Sequence, residues 1–332
     1  MILVTGGTGI LGARLLFDLV SKNKTVSAIK RPSSDLKSVQ SVFQFYGDHD
    51  LTLFHQIDWI NADVNDLLSL IDAFQNIDTV YHCAAVVSFH YSDLDLMTQV
   101  NVEGTKNVVN ACLETEVKTL CHVSSTAAIT LNKENIGIES TPWKLQPTTS
   151  GYAITKYNAE LEVWRGQEEG LQVVVVNPCM ILGAGPIDKS SSGLFATGKK
   201  GMSFYTKGSN AYVDVRDVSK VMIHLVDHEI FGKRFLVIGE NYTFKRFFTE
   251  LCSVFNSKTP QTEARPWMIS LIKNIHQLRY LLTGKKPLIT KETCRSANKI
   301  SVFKKDQLEK VYPKPFIPVQ SSLSYFAEYY RS

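Results

Sequence analysis

Two side chains capable of proton chemistry stand four residues apart in the stretch SGYAITKYNAE, Ser150 to Glu160: Tyr152 and Lys156. On a helix that spacing puts them on one face, a turn apart. On spacing alone they read as an ordinary surface pair. A phenol is a poor acid or base at its free pKa of about 10. A neighbouring ammonium favours the phenolate and lowers that value, so Lys156 one turn on would turn Tyr152 into a working acid-base group. Hydroxyls able to polarise a carbonyl or hold an alkoxide are offered by HVSSTAAI, which carries Ser124 and Ser125.

The rest of the chain must bring these groups together. Short, nearly continuous apolar runs recur: MILVT, TVSAIK, IDWINAD, DTVYHCAA, KTLCHVSS and LQVVVVNP. Such runs suit parallel strands covered on both faces. Between them ILGARLLFDLVSKN, NDLLSLIDAF, LDLMTQVNVEGTKNVVNACLE and YAITKYNAELEVWRGQ carry apolar residues at helical spacing. Alternation of this kind predicts an α/β fold, a doubly wound parallel sheet of the Rossmann type, with ligands at the strand ends. After Pro178 the rhythm changes. MILGAGPIDKSSSG reads as loop, RFLVIG as one more strand, and the chain from about Tyr242 as irregular and helical. The expected division is a dinucleotide-binding domain over residues 1–178 with about 211–240, and a smaller, mostly helical substrate lobe over about 179–210 with 241–332.

The first strand runs into a glycine-rich turn and a helix, MILVTGGTGILGARLL. Gly6, Gly9 and Gly12 fit GxxGxxG, and Gly7, Gly9 and Gly12 fit GxGxxG. Glycines here permit a tight turn and close approach of backbone to a pyrophosphate. The helix start adds free N–H groups and a positive dipole end. The expected contacts come from Gly6, Gly7, Thr8, Gly9, Ile10, Leu11 and Gly12. The GK[ST] of a phosphate-loop NTPase is absent. Where an NAD site carries an acid at the end of the second strand, AIKRPSSD places Lys30 and Arg31. Two cations attract a 2′-phosphate, so NADP is expected over NAD, with Asp35 close by as a complication. After the third strand, NADVND puts Asp63 and Val64 where an adenine would rest, or forms a plain strand-end turn.

The totals exclude several classes. The chain has 332 residues, 44% hydrophobic and 20% charged, with a net charge of +4. That excess is too small and scattered for nucleic acid. The six cysteines show no metal-ligand spacing and the histidines no HExxH, so no metal is expected. A reducing cytoplasm fits better than a disulfide framework. The opening MILVTGGTG is no signal peptide, and no apolar run is long enough for a bilayer. The nearest, PWMISLIKNIHQLRYLLTG, is broken by Lys273, His276 and Arg279 and reads as an amphipathic helix. No membrane partner is expected.

The ordered set TGGTGILG, HCAA, NVEGT, VSST, YAITK, VNPCMILG and YVDVRDV resembles the extended short-chain dehydrogenase/reductase family, also called the NAD-dependent epimerase/dehydratase family, from Met1 to about Gly239. The resemblance implies that Tyr152 is the general acid/base, Lys156 its lysine and Ser125 the hydroxyl residue, with Ser124 a neighbour on the cofactor side. Ala84 and Ala85 of HCAA would line the nicotinamide, and Pro178 and Cys179 would meet its carboxamide. Asn101 is either a fixing point for the active-site helix or a simple cap or core residue. Lys156 would also hydrogen-bond the nicotinamide ribose.

Within such a family the reactions differ. The 4,6-dehydratases carry an Asp-Glu pair after the hydroxyl residue; here Thr126, Ala127 and Ala128 stand there, which argues against dehydration. In place of an RPxNVYGP-like sugar-nucleotide segment the chain has NPCMILGAG, with Asn177 at the arginine place and Met180 at the asparagine place. This version is similar to the dihydroflavonol-reductase-like and 3β-hydroxysteroid-dehydrogenase-like branch. The expectation is an NADP-dependent (alternatively NAD-dependent) reductase or dehydrogenase for a carbonyl or hydroxyl on a partly apolar small molecule. A nucleotide-sugar epimerase with tightly held cofactor is the second reading, a non-enzymatic dinucleotide-binding redox sensor the third. Candidate pocket residues are Phe89, His90, Ser125, Met180 and Phe204. The aromatic stretch FATGKKGMSFY, with Phe195, either lines that pocket or fills the lobe core. Two long helices, roughly 94–116 and 152–170, pair across a two-fold axis in this family, so a homodimer is expected.

Overall fold

The computed structural model of the chain describes residues 1–186, 192–265, 268 and 291–331. At its centre is a seven-stranded sheet whose neighbours all run parallel. The strands are β1 (Ile2–Thr5), β2 (Val26–Lys30), β3 (Asp58–Asn61), β4 (Thr79–His82), β5 (Thr119–Val123), β6 (Gln172–Pro178) and β7 (Lys233–Val237). Across the sheet they lie β3-β2-β1-β4-β5-β6-β7. The order reverses beside β1, which opens a crevice at the carboxyl ends of β1 and β4. The six apolar runs are the first six strands, and RFLVIG supplies the seventh. Their Val, Leu and Cys side chains are buried on both faces, hence the near-continuous hydrophobicity of the runs.

Helices α1 (Ile10–Val20), α2 (Lys37–Phe45), α3 (Leu67–Ala73), α4 (Gly104–Glu114), α5 (Gly151–Glu168) and α6 (Val215–Asp227) cover the sheet. Three starts carry side-chain caps: Asp66 accepts from the N–H of Leu68 and Ser69, Ser150 from Ala153 and Asp214 from Arg216. Helix α2 was not anticipated; its buried Val39, Val42 and Phe43 are the periodic signal that marks it. The long helix expected over 94–116 is interrupted. A short turn, Leu94–Met97, passes into a π-helical stretch, Thr98–Glu103, before α4 begins. The wider turn carries Asn101, which is buried and bonded to both Val86 and Thr155.

Beyond β6 the chain builds a smaller unit with helices Gly193–Lys200, Phe244–Val254 and α7 (Val319–Arg331). It also holds a three-stranded sheet of Met180–Leu182, Ser209–Asp214 and Glu240–Thr243. Residues 211–214, expected in the dinucleotide domain, thus pair in this second sheet, while α6 packs on α1 and β7 joins the main sheet. Helix α7 closes over the chain after β6: Tyr330 Oη donates to the Gly183 carbonyl at 2.8 Å and Ser322 Oγ to Asp214 at 2.6 Å. The expected amphipathic helix over 266–284 lies outside the described residues apart from Met268. Among the described residues no helix is long and apolar enough to cross a membrane.

A buried hydrogen-bond chain joins β1, β4 and the helix pair α4–α5. The Ala84 N–H donates to Thr5 Oγ1 (3.2 Å), Thr5 Oγ1 meets His82 Nδ1 (2.7 Å), and His82 Nε2 meets Thr105 Oγ1 (3.0 Å). Thr105 Oγ1 donates to the Asn101 carbonyl (2.6 Å). A hydroxyl has one proton. That of Thr105 is committed to the carbonyl, so its oxygen accepts from Nε2–H. Nδ1 then accepts from Thr5. His82 is therefore a neutral Nε2–H imidazole, and burial with the Lys156 charge nearby holds its pKa down, to about 3. His122 lies beside it, ring centroids 5.2 Å apart, fully buried and with neither ring nitrogen partnered among the described residues. Burial, Lys156 and His82 push it below the usual histidine value as well.

An imidazole kept neutral in the fold but protonated in the unfolded chain weakens the fold as pH falls. The fold's melting temperature should therefore drop as pH is lowered from about 6.5 toward 3. His122→Leu removes two orphaned nitrogens at similar volume. It should keep neutral-pH stability within about 1 kcal/mol of the parent and make that acid limb shallower. An unchanged limb, measured by calorimetry, would contradict the assignment.

Candidate active site

The glycine turn is built for close approach. Gly6 has φ +68°, and a Cβ on it would lie 2.6 Å from the Ala84 nitrogen. A Cβ on Gly12 would lie 2.2 Å from the Gly6 carbonyl oxygen. These two positions exclude any side chain and press the β1 turn against the HCAA segment. Gly9 is the N-cap of α1 and brings no side-chain cap, so the first N–H groups, of Ile10 and Leu11, face the turn without an intrahelical partner. A cradle that a methyl group would fill, at the start of a helix, fits a dinucleotide pyrophosphate. Gly7 and Thr8 complete the turn.

At the end of β5 three consecutive residues meet three groups of α5. The Val123 carbonyl accepts from Lys156 Nζ at 2.7 Å. Ser124 Oγ donates to Glu160 at 2.5 Å. The Ser125 hydroxyl faces the Tyr152 phenol, whose pKa it draws down, and accepts from the Ala127 N–H at 3.1 Å. Tyr152 and Lys156 are thus not a solvated surface pair; Lys156 is 1% exposed. Asn101 grips the Val86 backbone through both its amide atoms, at 2.7 and 2.9 Å, and donates to Thr155 Oγ1 at 3.1 Å. It is a fixing point for α5, and the cap reading does not hold.

The electrostatics differ from the expectation in one respect. Burial pushes the Tyr152 phenol up to about 12, and the Ser125 hydroxyl draws it only part of the way back. Lys156 is not among the groups that lower it, and its ammonium is directed to the Val123 carbonyl. Burial draws Lys156 itself down to about 8, with Glu160 and Cys83 opposing. The thiols of Cys83 and Cys179 are both held up at about 12 by burial, so neither is a nucleophile at neutral pH.

The other expected residues fall as follows. Ala84 is half-buried and Ala85 exposed beside the glycine turn. Ser124 has its hydroxyl committed to Glu160 and is not free to turn to a cofactor. Pro178 and Cys179 are buried at the end of β6, where the Cys179 N–H donates to the Val237 carbonyl. Lys30 Nζ donates to Asn61 at 2.8 Å across the ends of β2 and β3, whereas Arg31 is exposed. Asp35 is engaged locally, accepting from the Lys37 N–H at 2.9 Å. Asp63 accepts from the Asn65 N–H at 2.9 Å, a strand-end turn, and the Val64 carbonyl accepts from Asn107.

Of the pocket residues, Phe89 lies edge-on to Tyr152, ring centroids 6.3 Å apart. His90 starts the short turn Tyr91–Asp93. Met180 is half-buried on the strand after β6, and Phe204 lies part-exposed on strand Phe204–Tyr205, paired with Thr262–Glu263. No described contact joins either to Tyr152. Phe195 stacks on Tyr330 at 4.6 Å and is lobe core. Asn177 is fully buried, its amide donating to Glu160 and to the Ser125 carbonyl; it faces the core and carries no information on the substrate. A cavity of about 330 Å³ in the C-terminal segment, between Lys305 and Phe316, includes none of these residues.

The model of the NAD dependent epimerase/dehydratase family matches residues 2–239. The chain belongs to that family. Sterol demethylase protein B of Methylococcus capsulatus is 30% identical over 310 residues, covering 86% of this chain and 89% of that protein. A putative dihydroflavonol 4-reductase of Synechocystis is 26% identical, covering 80% and 75%. The solved structure of gox2253 has a TM-score of 0.80 at 24% identity, covering 100% of this chain and 98% of that one, and supports the fold.

Asn101→Ala should strand the buried Val86 N–H and cost about 1–3 kcal/mol of stability. Asn101→Asp, which keeps the acceptor but sets a buried carboxylate against the Val86 carbonyl, should cost at least as much in chemical denaturation.

Proposed function

We propose that the chain is an NADP-dependent reductase acting on a carbonyl group of a partly apolar small molecule. The observation that carries this reading is the placing of Tyr152 and the buried Lys156, one turn apart on α5, against Ser125 and the Val123 carbonyl at the end of β5, beside the glycine turn. A bound nicotinamide dinucleotide supplies the hydride. The protein's own groups do the rest. The Ser125 hydroxyl polarises the carbonyl oxygen. Tyr152, protonated at neutral pH because burial holds it at about 12, delivers its proton to the developing alkoxide. Lys156 contributes positive potential from beneath. In the oxidative direction the same phenol would first have to lose its proton, so the resting state suits reduction.

Exposed Arg31 beside anchored Lys30 supports a 2′-phosphate, since Asp35 is engaged elsewhere. Phe89 against Tyr152, with exposed Val87 and Tyr91 near it in sequence, supports an apolar substrate. So do the names of the relatives, a sterol demethylase protein and a dihydroflavonol 4-reductase. Thr126–Ala128 form a short 3-10 turn with no carboxylate, which argues against dehydration. The buried, unbridged thiols of Cys112, Cys121, Cys179 and Cys252 support a reducing cytoplasm. Leu96 and Leu161 stand half-exposed on the stretches expected to pair, which supports a homodimer.

Turnover of a panel of carbonyl compounds, followed by NADPH absorbance, tests the reading. Tyr152→Phe should lower kcat by about 10²-fold or more while NADPH binding holds. Residual activity near the parent's, cofactor that co-purifies without exchanging, or NADH binding tighter than NADPH would each count against it. Light scattering should give twice the monomer mass.

A further inference from the structure

Glu160 completes the stripe Tyr152, Lys156, Glu160 on α5, yet nothing above uses it. It is 1% exposed, an unusual place for a carboxylate without a task. Three donors from three strands converge on it. Ser124, just past β5, and Asn177 on β6 reach Oε1 at 2.5 and 2.6 Å, and Arg234 on β7 reaches Oε2 at 3.2 Å. A carboxylate is the acceptor that satisfies all three; an amide would turn a donor toward one of them. The same Asn177 amide donates to the Ser125 carbonyl at 3.0 Å. The hydroxyl residue of the proposed reaction therefore hangs from the Glu160 cluster on one side and from Tyr152 on the other.

We propose that Glu160, clamped by Arg234, is a positioning residue for the reaction assigned above: it fixes the Ser124–Ser125 segment against α5 and keeps Lys156 charged in a buried site. The role rests on the proposed reaction only for its kinetic readout. Lys156 is faced by Glu160 from α5, Cys83 and His82 from the end of β4, and His122 from β5. The thiol is protonated and both imidazoles are neutral, which leaves Glu160 as the anion opposing the burial of the ammonium. Arg234 in turn favours the charged form of Glu160, as do Ser124, Asn177 and Lys156, against the burial that raises it. Arg234 is 25% exposed at its side chain and so holds the cluster from the sheet edge.

The test uses Glu160→Gln, Arg234→Met and Arg234→Lys in the full chain, with two readouts. The first is the pH dependence of NADPH affinity, which needs no turnover. The second is the pH profile of kcat and KM on whichever carbonyl compound the parent reduces. Glu160→Gln should move the alkaline limb of both down by about one pH unit and lower kcat about tenfold with KM changed less than about threefold. Arg234→Met should shift them the same way by less, and Arg234→Lys should restore the parent profile. Variants that lose only melting temperature, with both profiles unmoved, would make the cluster structural and overturn the proposal. Should Glu160→Gln fail to fold, Arg234→Met decides alone, since it leaves Ser124 and Asn177 in place. A parent that reduces no carbonyl compound while Glu160→Gln still shifts NADPH affinity would sink the reaction and leave the positioning role standing.

Discussion

The site depends on one register: Val123, Ser124 and Ser125 at the end of β5 against Lys156, Glu160 and Tyr152 on α5. Each of the three contacts is buried or half-buried, and each uses a different chemistry: an ammonium on a carbonyl, a hydroxyl on a carboxylate, a hydroxyl on a phenol. A helical shift of one residue would turn the stripe about 100° away and break all three together. The register is therefore selected by polar groups at buried positions, where an unmade bond costs most. Apolar packing of α5 on α4 fixes distance rather than rotation. A Cβ on Gly166 would lie 2.8 Å from Val109, so the helices touch closely there.

The second constraint links that register to the glycine turn. The run Ala84, Thr5, His82, Thr105, Asn101, Thr155 crosses from β1 through β4 to α5 without leaving the protein. It has one consistent proton direction around a neutral His82. The phosphate-facing turn and the proton-transfer groups are thus parts of one hydrogen-bonded frame, and its weak point is the protonation of an imidazole. Among the described residues, the buried His122 beside it adds cost without a partner. We have no physical account of why a histidine stands there.

Much of this was legible in the sequence, because the strands are buried on both faces and the glycines punctuate the first turn. The doubly wound class follows from the alternation, and Tyr152, Lys156 and Ser125 are named from the motif order. What escaped has physical reasons. Helix α2 is short and mixed in composition, and its apolar face is only Val39, Val42 and Phe43. The π-helical stretch cannot be told from a long helix by periodicity, since one widened turn barely shifts the pattern. Glu160 was visible as the third member of a four-residue stripe, but a glutamate on a helix is read as solvated unless its partners are known. Those partners, Ser124, Asn177 and Arg234, lie on three strands far apart in the chain. In the sequence Asn177 is read only for the arginine it replaces. Its burial and its bonds to Glu160 and Ser125 need the fold.

Burial also reverses one piece of simple reasoning. A cation beside a phenol should lower its pKa, and the spacing of Tyr152 and Lys156 invites that conclusion. In the folded protein the two groups are desolvated together. The phenol rises from 10.0 to about 12 and the ammonium falls from 10.5 to about 8, so burial drives their values apart. The phenol therefore keeps its proton at neutral pH and can serve as a donor, which a phenol already ionised could not. Burial causes both shifts, with Glu160 opposing the fall of the ammonium and Ser125 the rise of the phenol. Ser124 in turn holds Glu160, so both opposing groups depend on adjacent residues of one strand end. Burial, more than the four-residue spacing of Tyr152 and Lys156, thus decides which of the two carries the proton at neutral pH.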